Sequence, residues 1–223
     1  MVFSIVIPAF NEEKYIKKCL QSCLNLNYPK IKYEIIVVDN NSTDKTIKIV
    51  NKFKQVKLVK EKAQGISFAR QKGLKKCKGK YYVSIDADTI LPSDWLIKVE
   101  KIINKNKNFA CIYGPVKIHD SSNAFFTKSV YLATLFLGLI DKHIYNCNAI
   151  YNKNKLLKIG GFNHKYPNYD DSILSSVLKR NNLIILFNHD LIAYISGRRY
   201  LGLKAFSIFK NLCVYYKYKL FHI

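Results

Sequence analysis

The sequence predicts an α/β domain: a mostly parallel, mixed sheet with helices on both sides. Three observations carry that prediction. Over the first hundred residues, short apolar runs alternate four times with stretches of helical periodicity, the pattern of a sheet whose crossovers are helices. Ile35-Ile36-Val37-Val38 shows no polar alternation, as a strand covered on both faces requires. Three polar clusters, Asn11-Glu12, Asp39-Asn40-Asn41 and Asp86-Ala87-Asp88, each follow such a run, where open α/β sheets gather their ligand-binding loops.

The elements follow in order. Val2 to Pro8 reads as the first strand, and Glu12 to Leu26 as a helix with Ile16, Cys19, Leu20, Cys23 and Leu24 at helical spacing. Glu12 and Glu13 are expected in its first turn, where the helix dipole favours acids. Tyr33 to Asp39 is the second strand. Asn40 to Asp44 is a polar turn able to cap a helix from Lys45 to about Phe53. Val56 to Val59 is a strand, Ile66 to Cys77 a helix and Tyr81 to Asp86 a strand, after which Pro92 is expected to open a helix. Beyond residue 100 the pattern loosens. Strands are expected at Phe109–Ile118, Tyr145–Tyr151, Leu183–Phe187 and Leu191–Ser196. Helices are expected at Phe125–Leu139, at Asn154–Ile159 before Gly160-Gly161, and at Asp170–Lys179. Tyr200 to Phe221 reads as a basic, aromatic helix.

The 223 residues suit one domain, long enough to bury roughly 70% of the surface of its unfolded chain. We read residues 1–100 as a nucleotide-binding half, 101–199 as an acceptor half and 200–223 as a C-terminal helix. The net charge is +22, from 37 Lys+Arg against 15 Asp+Glu. That excess fits an anionic membrane, phosphorylated substrates or nucleic acid, and equally a compositional bias toward Lys, Asn, Ile and Tyr. No nucleic-acid-binding motif accompanies it, so no nucleic acid is expected. None of the six cysteines forms a Cys-x-x-Cys pair, which removes the usual zinc spacing. Cys19 and Cys23 fit an apolar helix face. Free thiols, no basic leader at Met1–Pro8 and no apolar run of the ~18 residues that span a bilayer together suggest a cytoplasmic protein.

Asp86 and Asp88, two residues apart after a strand, repel unless a cation lies between them. Magnesium and manganese take such oxygens and leave positions for substrate phosphates. The surrounding motifs carry a resemblance. Ser4-Ile5-Val6-Ile7-Pro8-Ala9-Phe10-Asn11-Glu12, Glu34 to Thr46, Gly65 to Gly73 and Asp86-Ala87-Asp88 with Pro92 and Trp95 resemble, in order and spacing, the signatures of family 2 glycosyltransferases with the GT-A, Rossmann-like fold. The resemblance implies a nucleotide-sugar donor. Pro8, Ala9, Asn11 and Glu12 would line the nucleoside pocket, and Asp39, with Asn41 beside it, would read the base, uracil for a UDP donor. Arg70 would lie near the base or diphosphate. Asp86 would touch ribose or a metal-bound water and Asp88 would hold the Mn2+ or Mg2+, with Ala87 between them.

Asn146 to Tyr151 and Gly160-Gly161-Phe162-Asn163 resemble the family's border of the donor sugar. Tyr169-Asp170-Asp171 resembles its Glu-Asp motif, with Asp170 in place of Glu, which implies Asp171 as general base and inversion at the sugar carbon. In Ser196-Gly197-Arg198-Arg199, which resembles a late motif of related enzymes, one arginine, taken as Arg199, would reach the diphosphate. The Gln-x-x-Arg-Trp motif of processive synthases is missing, which favours transfer of a single sugar. The acceptor would be a saccharide, a lipid-linked sugar or a protein. The 200–223 helix could instead rest on an anionic membrane. A metal-dependent nucleotidyltransferase and a non-catalytic basic binding protein are the alternatives.

Overall fold

A computed structural model describes residues 1–142, 144–162 and 170–199, without the side chains of residues 170–172 and 199. The expected 200–223 helix lies outside the described residues. The first half alternates as predicted: β1 (Phe3–Ala9), α1 (Ile16–Leu24), β2 (Tyr33–Asp39), α2 (Thr46–Val50), β3 (Val56–Lys60), α3 (Ile66–Lys76), β4 (Tyr81–Ser84) and α4 (Trp95–Lys105). Then come β5 (Cys111–Tyr113), β6 (Val116–Ile118), α5 (Ala124–Ile140), β7 (Ala149–Asn152), α6 (Lys153–Lys158), α7 (Asp170–Arg180), β8 (Ile185–Phe187) and β9 (Ala193–Ile195).

Seven strands form one sheet in the order β3-β2-β1-β4-β7-β5-β8, and β6 pairs with β9 in a second, two-stranded sheet. The β3-β2-β1-β4 half is parallel, while β7 runs antiparallel to both neighbours. Alternate side chains of the parallel strands enter opposite layers. Ile5, Ile7, Ile35, Val37 and Val83 pack on α1 and α4, including the fully buried Trp95. Val6, Ile36, Val38 and Tyr82 pack with Ala69 and Leu74 of α3, Leu156 of α6 and Leu178 of α7. The close approach of α3 requires Gly73, where a Cβ would overlap the Val6 side chain. Gly160 and Gly161 close α6 at φ +88° and +76°, the left-handed geometry a helix stop uses.

Several boundaries differ from expectation for local reasons. Helix α1 starts at Ile16, with no acid in its first turn. The Glu12 and Glu13 amides are instead drawn across to Thr46 Oγ1 (2.7 Å) and Asp44 Oδ2 (3.0 Å). Strand β4 stops at Ser84 because Asp86 donates its amide to Thr89 Oγ1 in a turn. Pro92 precedes α4 and only accepts the Trp95 amide. The strand expected over 109–118 breaks at Gly114-Pro115. Pro115 has no amide to donate, and beyond it β6 leaves the main sheet for β9. Residues 146–148 form a 3-10 turn rather than the start of β7. Residues 124–141 form a stretch long and apolar enough to cross a membrane by length and composition. This corrects the expectation of no such run: Thr127, Lys128 and Ser129 interrupt the apolar letters without making the stretch polar on average.

Candidate functional site

The sheet order reverses between β1 and β4, and ligands of open α/β sheets bind in the crevice beyond such a point. Three loops meet there. Pro8 and Ala9 close β1 in register with Val38 and Asp39 of β2. Asn11 follows at φ 55°. Its Oδ1 accepts the Thr43 amide at 2.8 Å, while its own amide donates to Ser42 Oγ at 3.1 Å. Asn41, at φ 68°, donates Nδ2 to the Lys62 carbonyl at 2.7 Å. Both asparagines therefore tie loops together. Asp39 is buried at the strand end, near the Ser42 amide. The neighbouring Asn40, absent from the expected set, is also buried. It donates to the Glu61 and Ala63 carbonyls and accepts the Gly65 amide, which fixes the entry to α3.

The Asp86-Ala87-Asp88 turn forms the third loop, and both aspartates are almost fully buried. Each carboxylate meets a guanidinium. Arg70 Nη2 is 2.6 Å from Asp86 Oδ1, with the arginine side chain 2% exposed. Arg70 is thus a buried partner of Asp86. Arg198 Nε is 3.0 Å from Asp88 Oδ2, and its Nη2 is 2.6 Å from Glu12 Oε1. The Arg198 guanidinium also lies over the Tyr15 ring, 4.4 Å from its centroid. Both carboxylates of this acidic pair thus have a protein cation beside them.

Arg198 is set by the chain around it. Asp120 accepts the Ser196 hydroxyl at 2.5 Å and the Gly197 amide at 2.6 Å, and Ser196 Oγ accepts the Arg198 amide. Burial pushes the Asp120 carboxyl up, but these two hydrogen bonds and the nearby His119 outweigh it and hold it below the usual carboxylate range. The His119 ring reaches the Asp88 carbonyl at 3.3 Å. The sequence offered Arg198 and Arg199 side by side, and Arg198 is the one seen at Asp88; the Arg199 side chain lies outside the described residues. Tyr15, His119 and Asp120 carried no sequence signal, because their partners are far away in the chain.

Beneath the turn, Cys19 Sγ lies 3.6 Å from the Asp86 carbonyl. Its hydrogen bond to Cys23, burial and the two aspartates all raise its pKa, so the thiol is a core group, as expected. His189 is exposed beside Asp190. Asp170 and Asp171 open α7 in the backbone, and their side chains lie outside the described residues.

Among the described residues no group of three His, Cys, Asp or Glu side chains is placed to hold a metal. Asp86 and Asp88 are the two carboxylates that would hold a hard cation, a set that substrate phosphates would complete, with Arg198 also on Asp88.

The sheet is doubly wound with paired aspartates at its reversal point, and its fold matches GT-A-type neighbours. The chain belongs to glycosyl transferase family 2, whose model matches residues 4–164. A Methanococcus voltae protein, dolichyl N-acetyl-alpha-D-glucosaminyl phosphate 3-beta-D-2,3-diacetamido-2,3-dideoxy-beta-D-glucuronosyltransferase, is 32% identical over 146 residues, 60% of this chain and 46% of that one. The Staphylococcus aureus poly(ribitol-phosphate) beta-N-acetylglucosaminyltransferase TarS is 31% identical over 111 residues, 48% of this chain and 19% of TarS. The chain thus spans less than half the length of these curated relatives. Among solved structures, S. aureus TarS 1-349 superposes with a TM-score of 0.73 at 21% identity, covering 97% of this chain and 66% of that one. The Pyrobaculum calidifontis mannosyltransferase with GDP-Man and Mn2+ gives 0.69 at 22% identity, covering 87% and 56%.

Proposed function

We propose that this chain is the donor-binding and catalytic part of an inverting glycosyltransferase. It moves one sugar from a nucleotide-diphospho-sugar, preferably UDP-linked, to an acceptor hydroxyl. The observation that carries this reading is the Asp86-Ala87-Asp88 turn at the sheet reversal, with Asp88 gripped by Arg198, 110 positions away in the chain. The relatives' names and a TarS structure in complex with UDP-GlcNAc support the donor class.

Asp39 accepts the imide N–H of the base, and the loops pinned by Asn11 and Asn41 shape the nucleoside pocket. Asp86, oriented by Arg70, faces the ribose. Arg198 exchanges carboxylate for diphosphate oxygens as the donor enters. Such a guanidinium suits phosphate because its parallel N–H groups match two oxygens. Mn2+ or Mg2+, held by Asp88 with Asp86, would supply charge neutralisation on the departing diphosphate. Asp171 takes the acceptor proton, an assistance worth roughly 10²- to 10⁴-fold. The acceptor oxygen then bonds to C1 as the C1–diphosphate oxygen bond breaks, which inverts the anomeric centre.

The test is a nucleotide-sugar panel with manganese, scored by nucleoside diphosphate release. UDP release that Asp88→Asn abolishes, and that Asp171→Asn loses with donor binding intact, is expected. Pyrophosphate release would instead identify a nucleotidyltransferase, and unchanged turnover in Asp88→Asn would overturn the metal assignment.

A further inference from the structure

Helix α5 presents a second surface. Its residues Val130, Thr134 and Gly138 face inward: Thr134 Oγ1 accepts the Val116 amide at 3.2 Å, and the Tyr113 hydroxyl donates to the Gly138 carbonyl at 3.0 Å. The opposite face is also apolar. Phe125 is 81% exposed, Leu132 48%, Phe136 61%, Leu139 64% and Ile140 66%. Their spacing places them in one stripe along a helix of 17 residues, about 25 Å long at 1.5 Å per residue. A helix apolar on every side is normally enclosed by protein or lipid.

We propose that this stripe seats the protein on an anionic lipid bilayer, with α5 lying in the interface plane. Charge selects that occupant. No acid occurs between Ala124 and Ile140, while Lys128 shares the outer face and Lys142 follows the helix. The flanking acids are engaged within the protein: Asp120, although exposed, accepts from Ser196 and Gly197, and the half-buried Asp141 pairs with Lys179. The surface offered is apolar and cationic on a chain of net charge +22, a combination that anionic headgroups attract. A second copy would bring two strongly positive chains together, which repulsion opposes. The helix does not span the bilayer, because one face packs on β6 and Asp141 at its far end pairs with Lys179 of α7.

The placement also bears on the acceptor. A Cβ built on Gly197, beside Arg198, would lie 3.4 Å from the Phe126 ring, so the N-terminal end of α5 borders the Asp88 cluster. A lipid-linked acceptor held in that bilayer would meet the site at this edge. This step rests on the glycosyltransferase reading; the membrane contact does not.

Flotation of the full chain with phosphatidylglycerol-containing vesicles, against phosphatidylcholine alone, tests the contact. Binding to the anionic vesicles that weakens with salt is expected. Phe125→Ser with Phe136→Ser should reduce it roughly tenfold or more, since two large side chains leave the lipid, while UDP binding, read by calorimetry, is retained. Ile31→Ser, at an exposed apolar position elsewhere, should change nothing. Phe136→Trp reports without disrupting the helix, and its fluorescence should be quenched by brominated lipid. Undiminished binding by the double variant overturns the proposal. So does unquenched fluorescence from the Phe136→Trp variant, a dimer that the double variant dissociates, or binding that depends only on residues 200–223. Loss of UDP binding in the wild type would strike the glycosyltransferase reading alone.

Discussion

Replacing Arg70 with Met tests the buried pair at the Asp86-Ala87-Asp88 turn. Methionine keeps much of the volume and the unbranched shape of the arginine stem, so the change removes charge with little packing loss. Arg70 is 2% exposed and Asp86 9%, and they meet at 2.6 Å. Removing one partner of a buried pair costs about 3–5 kcal/mol, because the other charge stays buried. The lower end is used here, since the Asp86 side chain keeps some exposure. With a urea dependence of about 2 kcal/mol per molar, a loss of about 3 kcal/mol moves the unfolding midpoint down by about 1.5 M. Adding Asp86→Asn removes the stranded charge and should recover part of that loss, a coupling that only contacting residues show. Urea unfolding of the wild type and the three variants, followed by circular dichroism, gives all four values. A single-variant loss of less than about 1 kcal/mol, the range of exposed pairs, would refute the argument, and so would strictly additive effects.

Other predictions follow from the same geometry. Arg198→Ala should lower kcat/KM about 100-fold, the scale of losing one preorganised electrostatic contact, with a smaller effect for Arg199→Ala; the reverse order in steady-state kinetics would reassign the contact. Asp39→Ala should weaken uridine nucleotide binding by at least about tenfold, a hydrogen bond to a charged group, and equal calorimetric affinities would place base recognition elsewhere. Asn148→Ala should cost about 3 kcal/mol or more by urea unfolding. Its buried side chain accepts from Trp95 Nε1 and donates to the Pro115 and Leu191 carbonyls, and each stranded group costs about 1–3 kcal/mol. Asp120 has a lowered folded pKa. Its hold on the 196–198 turn is therefore complete above the ordinary carboxylate value of about 3.9 and lost as pH falls through the folded value. Exchange protection of the Gly197 amide should follow that profile, and protection that fails already near neutral pH would contradict it.

The loops after β1, β2 and β4 were legible in the sequence because their pattern is local. Asn11 and Asp86 follow apolar strands and Asp39 ends one, and a parallel sheet brings such ends together without further information. Pairing between distant side chains was not legible. Arg198 and Asp88 are 110 positions apart, and no periodicity links them. Asn40 looked like any turn asparagine until its side chain was seen to bridge two loops. The α1 boundary failed for a related reason: propensity at Glu12 and Glu13 was overridden by hydrogen bonds from the next loop. The break at Gly114-Pro115 was written in the chain, and the apolar residues on either side masked it.

The grip of Arg198 on Asp88 has a consequence for how the protein is made. Chains emerge N-terminus first, and segments fold as they are completed. The crossovers that build β1 to β4 are all present by residue 84, well before Arg198 is synthesised. A chain cut short before residue 198 would carry the loops after β1, β2 and β4 yet lack the group that engages Asp88 and Glu12. Completion of β9 and the turn after it is therefore what brings this guanidinium to Asp88 and Glu12.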